Sequence, residues 1–202
     1  RFAGPADQGA KLRRLLSAYA AAGGRDAALL LHSEGAGTRL IEQLGRAARV
    51  DRSIQGVPAR VLPVALWHTA SVGLDLWLAA IAQGASQVWV LLSHEEAPQY
   101  RIALQQQMDV AQAILSGLGF DGAHFRLIEA VDARDLAALD QALRAAPAQG
   151  VARGASFTAQ ADKRATLDLA LDHLLAQAPA ASQASEAIAL PAAGSPFGSL
   201  RV

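Results

Sequence analysis

The chain has 202 residues, of which 52% are hydrophobic, 18% charged and 5% aromatic, and its formal net charge is zero. This composition predicts a folded core, and it provides neither the basic surface that binds nucleic acid nor a platform for stacking bases. Because the chain has no cysteine, disulfides, thiol catalysis and thiolate-held clusters are excluded within it. The most apolar stretch, residues 72–82, is too short to span a membrane, and the cytoplasm is the default expectation.

Apolar runs of strand length alternate with segments of helical period along most of the chain. The strands are predicted at residues 27–32, 60–66, 87–92 and 124–129, and the helices at residues 7–22, 38–50, 71–82, 97–118, 132–145 and 162–178. A short fifth strand at residues 150–157 remains open, and Pro63 favours an edge position for the second strand. The pattern predicts a three-layer α/β domain of the Rossmann or flavodoxin type. Its mostly parallel sheet of four or five strands is covered by helices on both faces.

The domain is predicted to occupy residues 1–178, followed by a linker and an extended arm at residues 179–202. An Ala/Ser/Pro-rich segment begins at Ala178, and Pro191 and Gly194 interrupt the short extended pieces that follow. The chain starts without Met and stops abruptly at Val202. These features are expected of a portion cut from a longer protein, with the arm leading toward a removed domain.

The predicted helix at residues 71–82 is apolar nearly all round. A helix of this kind is buried on more than one side, either in a core or in a subunit interface. The candidate interface residues are Leu74, Trp77, Leu78 and Ile81. A homodimer formed through this helix therefore remains one of the alternatives.

Three histidines, His32, His68 and His94, each follow a predicted strand. The carboxyl ends of parallel strands meet at one edge of a sheet, and ligands of open α/β sheets bind there. With an acid such as Glu34 or Glu95, the three imidazoles could bind a divalent metal or serve acid–base chemistry. Their spacing forms no metal motif, and loops at this edge collect polar residues simply because water reaches them. They are therefore retained as ligand-binding candidates, and no metal site or catalytic residue is assigned.

The segment Ser33–Thr38 contains Gly35 and Gly37, which begin a dinucleotide-binding fingerprint. The third glycine of that fingerprint would fall at position 40, where the chain has Leu40, and no carboxylate ends the second strand. A tight turn is favoured, although a helix N-terminus can bind an anion such as phosphate.

A polar segment, Ser93-His94-Glu95-Glu96, follows the third strand, with Tyr100 shortly after it. Serine beside histidine suggests nucleophilic catalysis, but no G-x-S-x-G elbow surrounds Ser93. The two glutamates are expected at the N-terminus of the long helix, where they favour its dipole. Ser93, His94 and Tyr100 are kept as ligand-binding candidates.

Residues 82–93, together with His94, Tyr100 and Leu118-Gly119, resemble the domain found as the delta subunit of methyl-viologen-reducing hydrogenases. That family places a glycine-rich helix end before a buried strand, then a histidine and a tyrosine, then a long helix that ends in Leu-Gly. The resemblance implies the same fold and a context of redox-protein assembly.

The cysteines of that family fall on Ser93 and Pro98 of this chain, and an earlier cysteine falls near His68. The iron–sulfur ligation that those cysteines provide therefore does not carry over to this chain.

A wider resemblance, carried by residues 72–76, 157–175 and 190–202, is to the central region of proteobacterial ferredoxin-type proteins. In those proteins a cysteine-free α/β domain lies between 4Fe-4S motifs. The resemblance implies a non-catalytic structural or assembly module of an electron-transfer protein that holds no cofactor itself. Its partners would be flanking ferredoxin-like segments that carry the clusters, together with an unknown redox protein. The alternatives are a domain that binds a nucleotide, flavin or anion at the carboxyl edge, and a dimerisation module.

Overall fold

The computed structural model describes residues 4–179 and 187–197. Within them the strands are β1 (Ala27–Ser33), β2 (Val61–Leu66), β3 (Ala85–Leu92) and β4 (Phe125–Glu129). The helices are α1 (Pro5–Ala21), α2 (Ala36–Val50), α3 (Leu74–Ala82), α4 (Pro98–Gly117), α5 (Leu136–Ala142) and α6 (Lys163–Ala176). Short 3-10 turns at Thr69–Ser71 and Ala133–Asp135 precede α3 and α5. No helix among the described residues is long and apolar enough to cross a membrane.

The four strands form one parallel sheet in the order β2-β1-β3-β4, which confirms the predicted fold class. β2 lies at an edge, as Pro63 predicted, since a proline has no N–H to give to a second neighbour. From β1 the chain places β2 on one side, and it then crosses back to place β3 and β4 in turn on the other side. The gap between β1 and β3 is therefore the switch point of a doubly wound sheet.

Residues 150–157 do not form a fifth strand. They run irregularly along the surface, held where the Ala155 N–H donates to the Ala82 carbonyl at 2.7 Å. The N-terminal helix also begins differently from the expectation. It was predicted to begin at residue 7, but it begins at Pro5 with Gly4 as its N-cap, and the Asp7 carboxylate accepts a hydrogen bond of 3.3 Å from the Gly4 N–H. Pro5 explains the earlier start, because its fixed φ suits the first helical position.

Helices cover both faces of the sheet. On one face, α1, α3, α4 and α6 enclose the larger hydrophobic cluster, and on the other face α2 and α5 enclose the smaller one. All seven residues of β1 and all eight of β3 are buried. Coverage on both sides is the physical reason that these two strands appear in the sequence as unbroken apolar runs.

Helix α3 is buried along its whole length because α6 packs over it from outside. The N-terminal ends of α3 and α6 line one cavity. Their C-terminal ends both lie beside residues 153–155, so the two helices run in the same direction. The apolar residues proposed for a subunit interface are core residues of this domain, with exposures of 6% or less: Leu74, Trp77, Leu78 and Ile81. None of these four side chains is therefore exposed for contact with a second subunit.

The C-terminal residues 187–197 lie against α4 and α6. Ile188 packs on Gly117, Gly194 lies on Gln106, and the Arg164 guanidinium carbon stands 5.3 Å from the centre of the Phe197 ring. Most of the predicted linker, residues 180–186, and the end of the predicted arm, residues 198–202, lie outside the described residues.

Candidate functional site

The carboxyl edge of the sheet contains a crevice of about 330 Å³ at the switch point between β1 and β3. The loops after β1, β2 and β3 contribute its walls, which are Ser33, Glu34, Gly35, Trp67, His68, Glu95 and Glu96. This is where the doubly wound topology leads one to look for a ligand. We call this opening the switch-point crevice. The hydrogen bonds of its polar side chains determine what it can bind.

Glu95 crosses the switch-point crevice and caps helix α2. Its Oε2 accepts hydrogen bonds from the Ser33 hydroxyl at 2.7 Å and the Ala36 N–H at 3.0 Å. Its Oε1 lies 3.4 Å from the Arg39 guanidinium. The hydrogen bond from the Ala36 backbone N–H lowers the pKa of Glu95 most, followed by the one from the Ser33 hydroxyl. A carboxylate of the protein thus occupies the position where the N-terminus of a helix would otherwise hold an anion.

The two glycines of the fingerprint-like segment serve this internal contact. A Cβ at Gly35 would lie 2.5 Å from Glu95 Oε1, and one at Gly37 would lie 2.8 Å from the Cβ of His32. In a dinucleotide-binding turn, glycine lets a pyrophosphate approach the backbone. Here the same freedom lets the protein's own carboxylate and imidazole approach.

Glu96 closes the other side of the switch-point crevice. Its Oε2 accepts hydrogen bonds from the Ser93 N–H at 2.7 Å and the Ser93 hydroxyl at 2.8 Å, and its Oε1 accepts one from the Thr69 hydroxyl at 3.1 Å. Ser93 therefore donates to a carboxylate and not to His94, so it is not arranged as a histidine-activated nucleophile.

The glutamates were expected to favour the dipole of the helix that follows them. The two glutamates do directly precede the N-cap of α4, Ala97, but no side-chain hydrogen bond caps that helix and their carboxylates bond to other groups. Glu95 instead serves α2, to which it is joined across 59 residues of sequence. Sequence spacing gave no signal for this contact, because it depends on β1 and β3 being neighbours.

The three histidines reach the same edge without forming one site. His32 is 4% exposed beneath α2, its Nδ1–H donates to the Ser33 carbonyl at 3.0 Å, and burial lowers its pKa. His68 Nδ1 accepts a hydrogen bond from the Ala70 N–H, and its ring meets that of Tyr100 edge-on at 4.9 Å. His94 is exposed. Among residues 4–179 and 187–197, no group of three or more His, Asp or Glu side chains could hold a metal ion.

Trp67 differs from the other two tryptophans in its exposure. Tryptophans are most simply core or interface anchors, and Trp77 and Trp89 are buried in the core. Trp67 is 69% exposed at the mouth of the switch-point crevice. It directly follows Leu66, the last residue of an edge strand, and that position was the one available sign of its exposure.

The amino edge of the sheet is closed by a buried polar network. His124 has 0% exposure, its Nε2–H donates to the Gln149 carbonyl at 2.9 Å, and burial lowers its pKa. The Arg60 guanidinium donates to the Gln87 side chain at 2.8 Å and lies over the Trp89 ring at 5.3 Å. Each of these side chains has a partner within the protein, which is consistent with a structural role.

A comparison with models of known protein families finds no match for this chain, and a comparison with curated proteins finds none either. The resemblance to hydrogenase delta subunits and ferredoxin-type proteins therefore rests on the residues quoted above, and the function it implies is a proposal.

Proposed function

We propose that this domain is a non-catalytic structural and assembly module of an iron–sulfur electron-transfer protein, and that it holds no cluster itself. The observation that carries the non-catalytic part is the state of the switch-point crevice. Glu95 and Glu96 place their carboxylates there, and each of the four carboxylate oxygens has a donor from the protein. Charged groups that are satisfied within the protein rigidify a site and leave it little capacity for new ligands.

The iron–sulfur part of the proposal rests on the resemblance. Ser93 and Pro98 stand where the related domain has cysteines, and the Ser93 hydroxyl is engaged by Glu96. A serine held in this way is suited to keeping the loop after β3 in place. The 4Fe-4S clusters would then belong to ferredoxin-like segments that flank the domain in the full-length protein, in the cytoplasm.

The test is a metal analysis of the full-length protein, purified without oxygen, beside the 202-residue domain. We expect iron, acid-labile sulfide and the visible absorption of 4Fe-4S clusters in the full-length protein. The domain alone should retain none after incubation with ferrous iron and sulfide.

A Ser93→Ala variant of the full-length protein is the matched control, and its iron content should equal that of the parent. A full-length protein without iron would overturn the iron–sulfur assignment. Stoichiometric iron on the isolated domain would overturn the statement that the domain holds no cluster.

A second candidate function is binding of a small anionic ligand, such as a nucleotide or flavin phosphate, in the switch-point crevice. The observation that favours it is the position of the Glu95 carboxylate at the N-terminus of α2, because a phosphate could replace that carboxylate at the Ala36 N–H. Thermal unfolding with ATP, NADH, FMN or phosphate, in the wild type and in Glu95→Gln, tests this candidate. Absence of a shift in both proteins would exclude it.

A further inference from the structure

A second cavity, of about 450 Å³, lies at the same edge of the sheet between the N-terminal ends of α3 and α6. Its polar lining consists of Asp75, Gln107, Asp162, Lys163 and Arg164, and its apolar lining includes Leu74, Leu167 and Pro196. We call it the α3–α6 cavity. It has no part in the function proposed above.

Asp75, which lines the α3–α6 cavity, has one carboxyl oxygen without a hydrogen-bond partner. Asp75 is 6% exposed, and its Oδ2 makes no hydrogen bond to any residue that the structure describes. Burial, the largest effect on this group, raises its pKa. A buried carboxyl oxygen without a donor costs free energy, so a ligand that supplied a donor would recover that cost.

The first N–H of α3 has another acceptor, so Asp75 does not cap Leu74. Backbone hydrogen bonds from Leu76 and from Asp75 itself lower the pKa of the Asp75 carboxyl, but burial outweighs them and Oδ2 is left without a donor. The Gln107 Oε1 accepts a hydrogen bond from the Leu74 N–H at 3.3 Å. Gly73 makes room for this amide, since a Cβ there would lie 2.7 Å from Gln107 Oε1. The unpartnered oxygen of Asp75 is therefore not explained by helix capping.

A positive charge faces Asp75 across the cavity without touching it. Lys163, at the first position of α6, is close enough to lower the pKa of Asp75. No carboxylate within residues 4–179 or 187–197 lies within 4.0 Å of its ammonium group. The neighbouring Arg164, by contrast, donates to Asp168 at 3.1 Å. The second carboxylate of the lining, Asp162, accepts a hydrogen bond from the Arg164 N–H at 2.9 Å. The α3–α6 cavity thus separates the Asp75 carboxyl group from the Lys163 ammonium group.

We propose that the α3–α6 cavity binds a free aliphatic α-amino acid, with its ammonium group on Asp75 and its carboxylate on Lys163. A zwitterion carries both complementary charges on one carbon, so it bridges two groups that do not form an ion pair with each other. A ligand with a single charge would leave one of the two groups unpaired. Leu167 and Pro196 offer an apolar wall to the side chain of the ligand.

Isothermal titration calorimetry of the wild-type protein with each of the common amino acids at millimolar concentration tests the proposal. We expect at least one aliphatic amino acid to bind. Its N-acetyl derivative lacks the cation and its amide lacks the anion, so each should bind about tenfold or more weakly. If the amide or the N-acetyl derivative bound as well as the parent amino acid, the proposal that both charges of the ligand are recognised would be overturned.

Two variants connect the binding to the named groups. Asp75→Asn and Lys163→Gln should each weaken binding by about tenfold or more. The control Asp109→Asn changes an exposed carboxylate of α4 that bonds Gln105, outside the cavity, and should bind as the wild type does. The proposal fails if no amino acid binds the wild type, or if a correctly folded Lys163→Gln, judged by circular dichroism, binds unchanged.

Discussion

The switch-point crevice and the α3–α6 cavity lie at the same edge of one sheet, yet they treat their carboxyl groups in opposite ways. In the crevice, Glu95 and Glu96 find donors for all four oxygens. In the cavity, Asp75 has an oxygen with no donor. The topology of a doubly wound sheet indicates which edge to search. The state of the polar groups then indicates which opening retains unused binding capacity.

The difference has a simple structural origin. Loops after three strands converge on the crevice and bring hydroxyl and N–H groups with them, such as those of Ser33, Ser93 and Ala36. Asp75 lies at the second position of α3, and packing of α6 over that helix removes it from water without supplying a donor. The four predictions below follow from this contrast, in order of decreasing effect.

The largest effect is expected from Glu96→Ala in the switch-point crevice. This change leaves Ser93 and the fully buried Thr69 without their acceptor, so the free energy of unfolding should fall by about 2 to 3 kcal/mol. Urea unfolding measures it. Glu34→Ala, at an exposed wall of the same crevice, is the control and should change stability by less than about 0.5 kcal/mol. Equal losses in the two variants would show that the Glu96 contacts are unimportant.

An effect of opposite sign is expected from Asp75→Asn in the α3–α6 cavity. Burial raises the pKa of Asp75, so its ionisation costs the folded state more than the unfolded state. The variant should be more stable by about 1 to 2 kcal/mol at neutral pH.

The pH dependence of this gain checks its cause. The cost in the wild type is absent below the unfolded pKa of 3.8 and develops as the pH rises through the higher folded pKa. The difference between wild type and Asp75→Asn should therefore shrink as the pH falls toward 4, while Asp109→Asn stays level with the wild type. A variant less stable than the wild type at neutral pH would contradict the unsatisfied state of Asp75.

A smaller effect is expected from Glu95→Gln. Loss of the charge at the N-terminus of α2 should cost about 1 kcal/mol at low salt, and less at high salt. Because the pKa of Glu95 is lowered in the folded state, its contribution is present above 4.5 and is lost as the pH falls below that value. The unfolding free energy of Glu95→Gln should therefore fall less than that of the wild type as the pH drops below 4.5. Glu42→Gln removes only an exposed contact with Arg46, so its unfolding free energy should fall as that of the wild type does.

The smallest effect on stability is expected from Lys163→Gln, within about 0.5 kcal/mol because the side chain is exposed. The variant is better tested by its effect on the pKa of Asp75. The Lys163 charge lowers the pKa of Asp75, so its removal should raise that pKa further. Titration of the Asp75 carboxyl carbon by NMR detects the change. In Lys11→Gln, which loses a contact with the Ala65 carbonyl, the pKa of Asp75 should equal that in the wild type.

Much of the fold could be predicted from local pattern. β1 and β3 are buried on both faces, and a strand in that position must be apolar throughout, so its run of residues is visible in the sequence. Pro63 correctly indicated an edge strand. Residues 150–157 were ambiguous, and they are held by isolated contacts such as the one from Ala155 to Ala82, which no periodicity reveals.

The candidate sites were less predictable. His68, Ser93 and His94 were expected near the carboxyl edge, and they lie in the loops there. His32 lies at the carboxyl end of β1, as expected, but it is buried beneath α2. Asp75 lies within the apolar stretch at residues 72–82, and no local pattern marks it as a site, because its burial depends on α6, which follows far along the chain.

The alternation of apolar runs and helical segments was enough to determine the α/β class and the edge of the sheet at which the strand-to-helix loops meet, since strand and helix periods are local properties. Only the tertiary structure decided that α3 is core, that Glu95 reaches α2 across 59 residues, and that one carboxyl oxygen of Asp75 is buried without a donor. Partnership between charged groups depends on distances set by strand order and helix packing. Those distances are properties of the assembled domain, and no stretch of its sequence contains them.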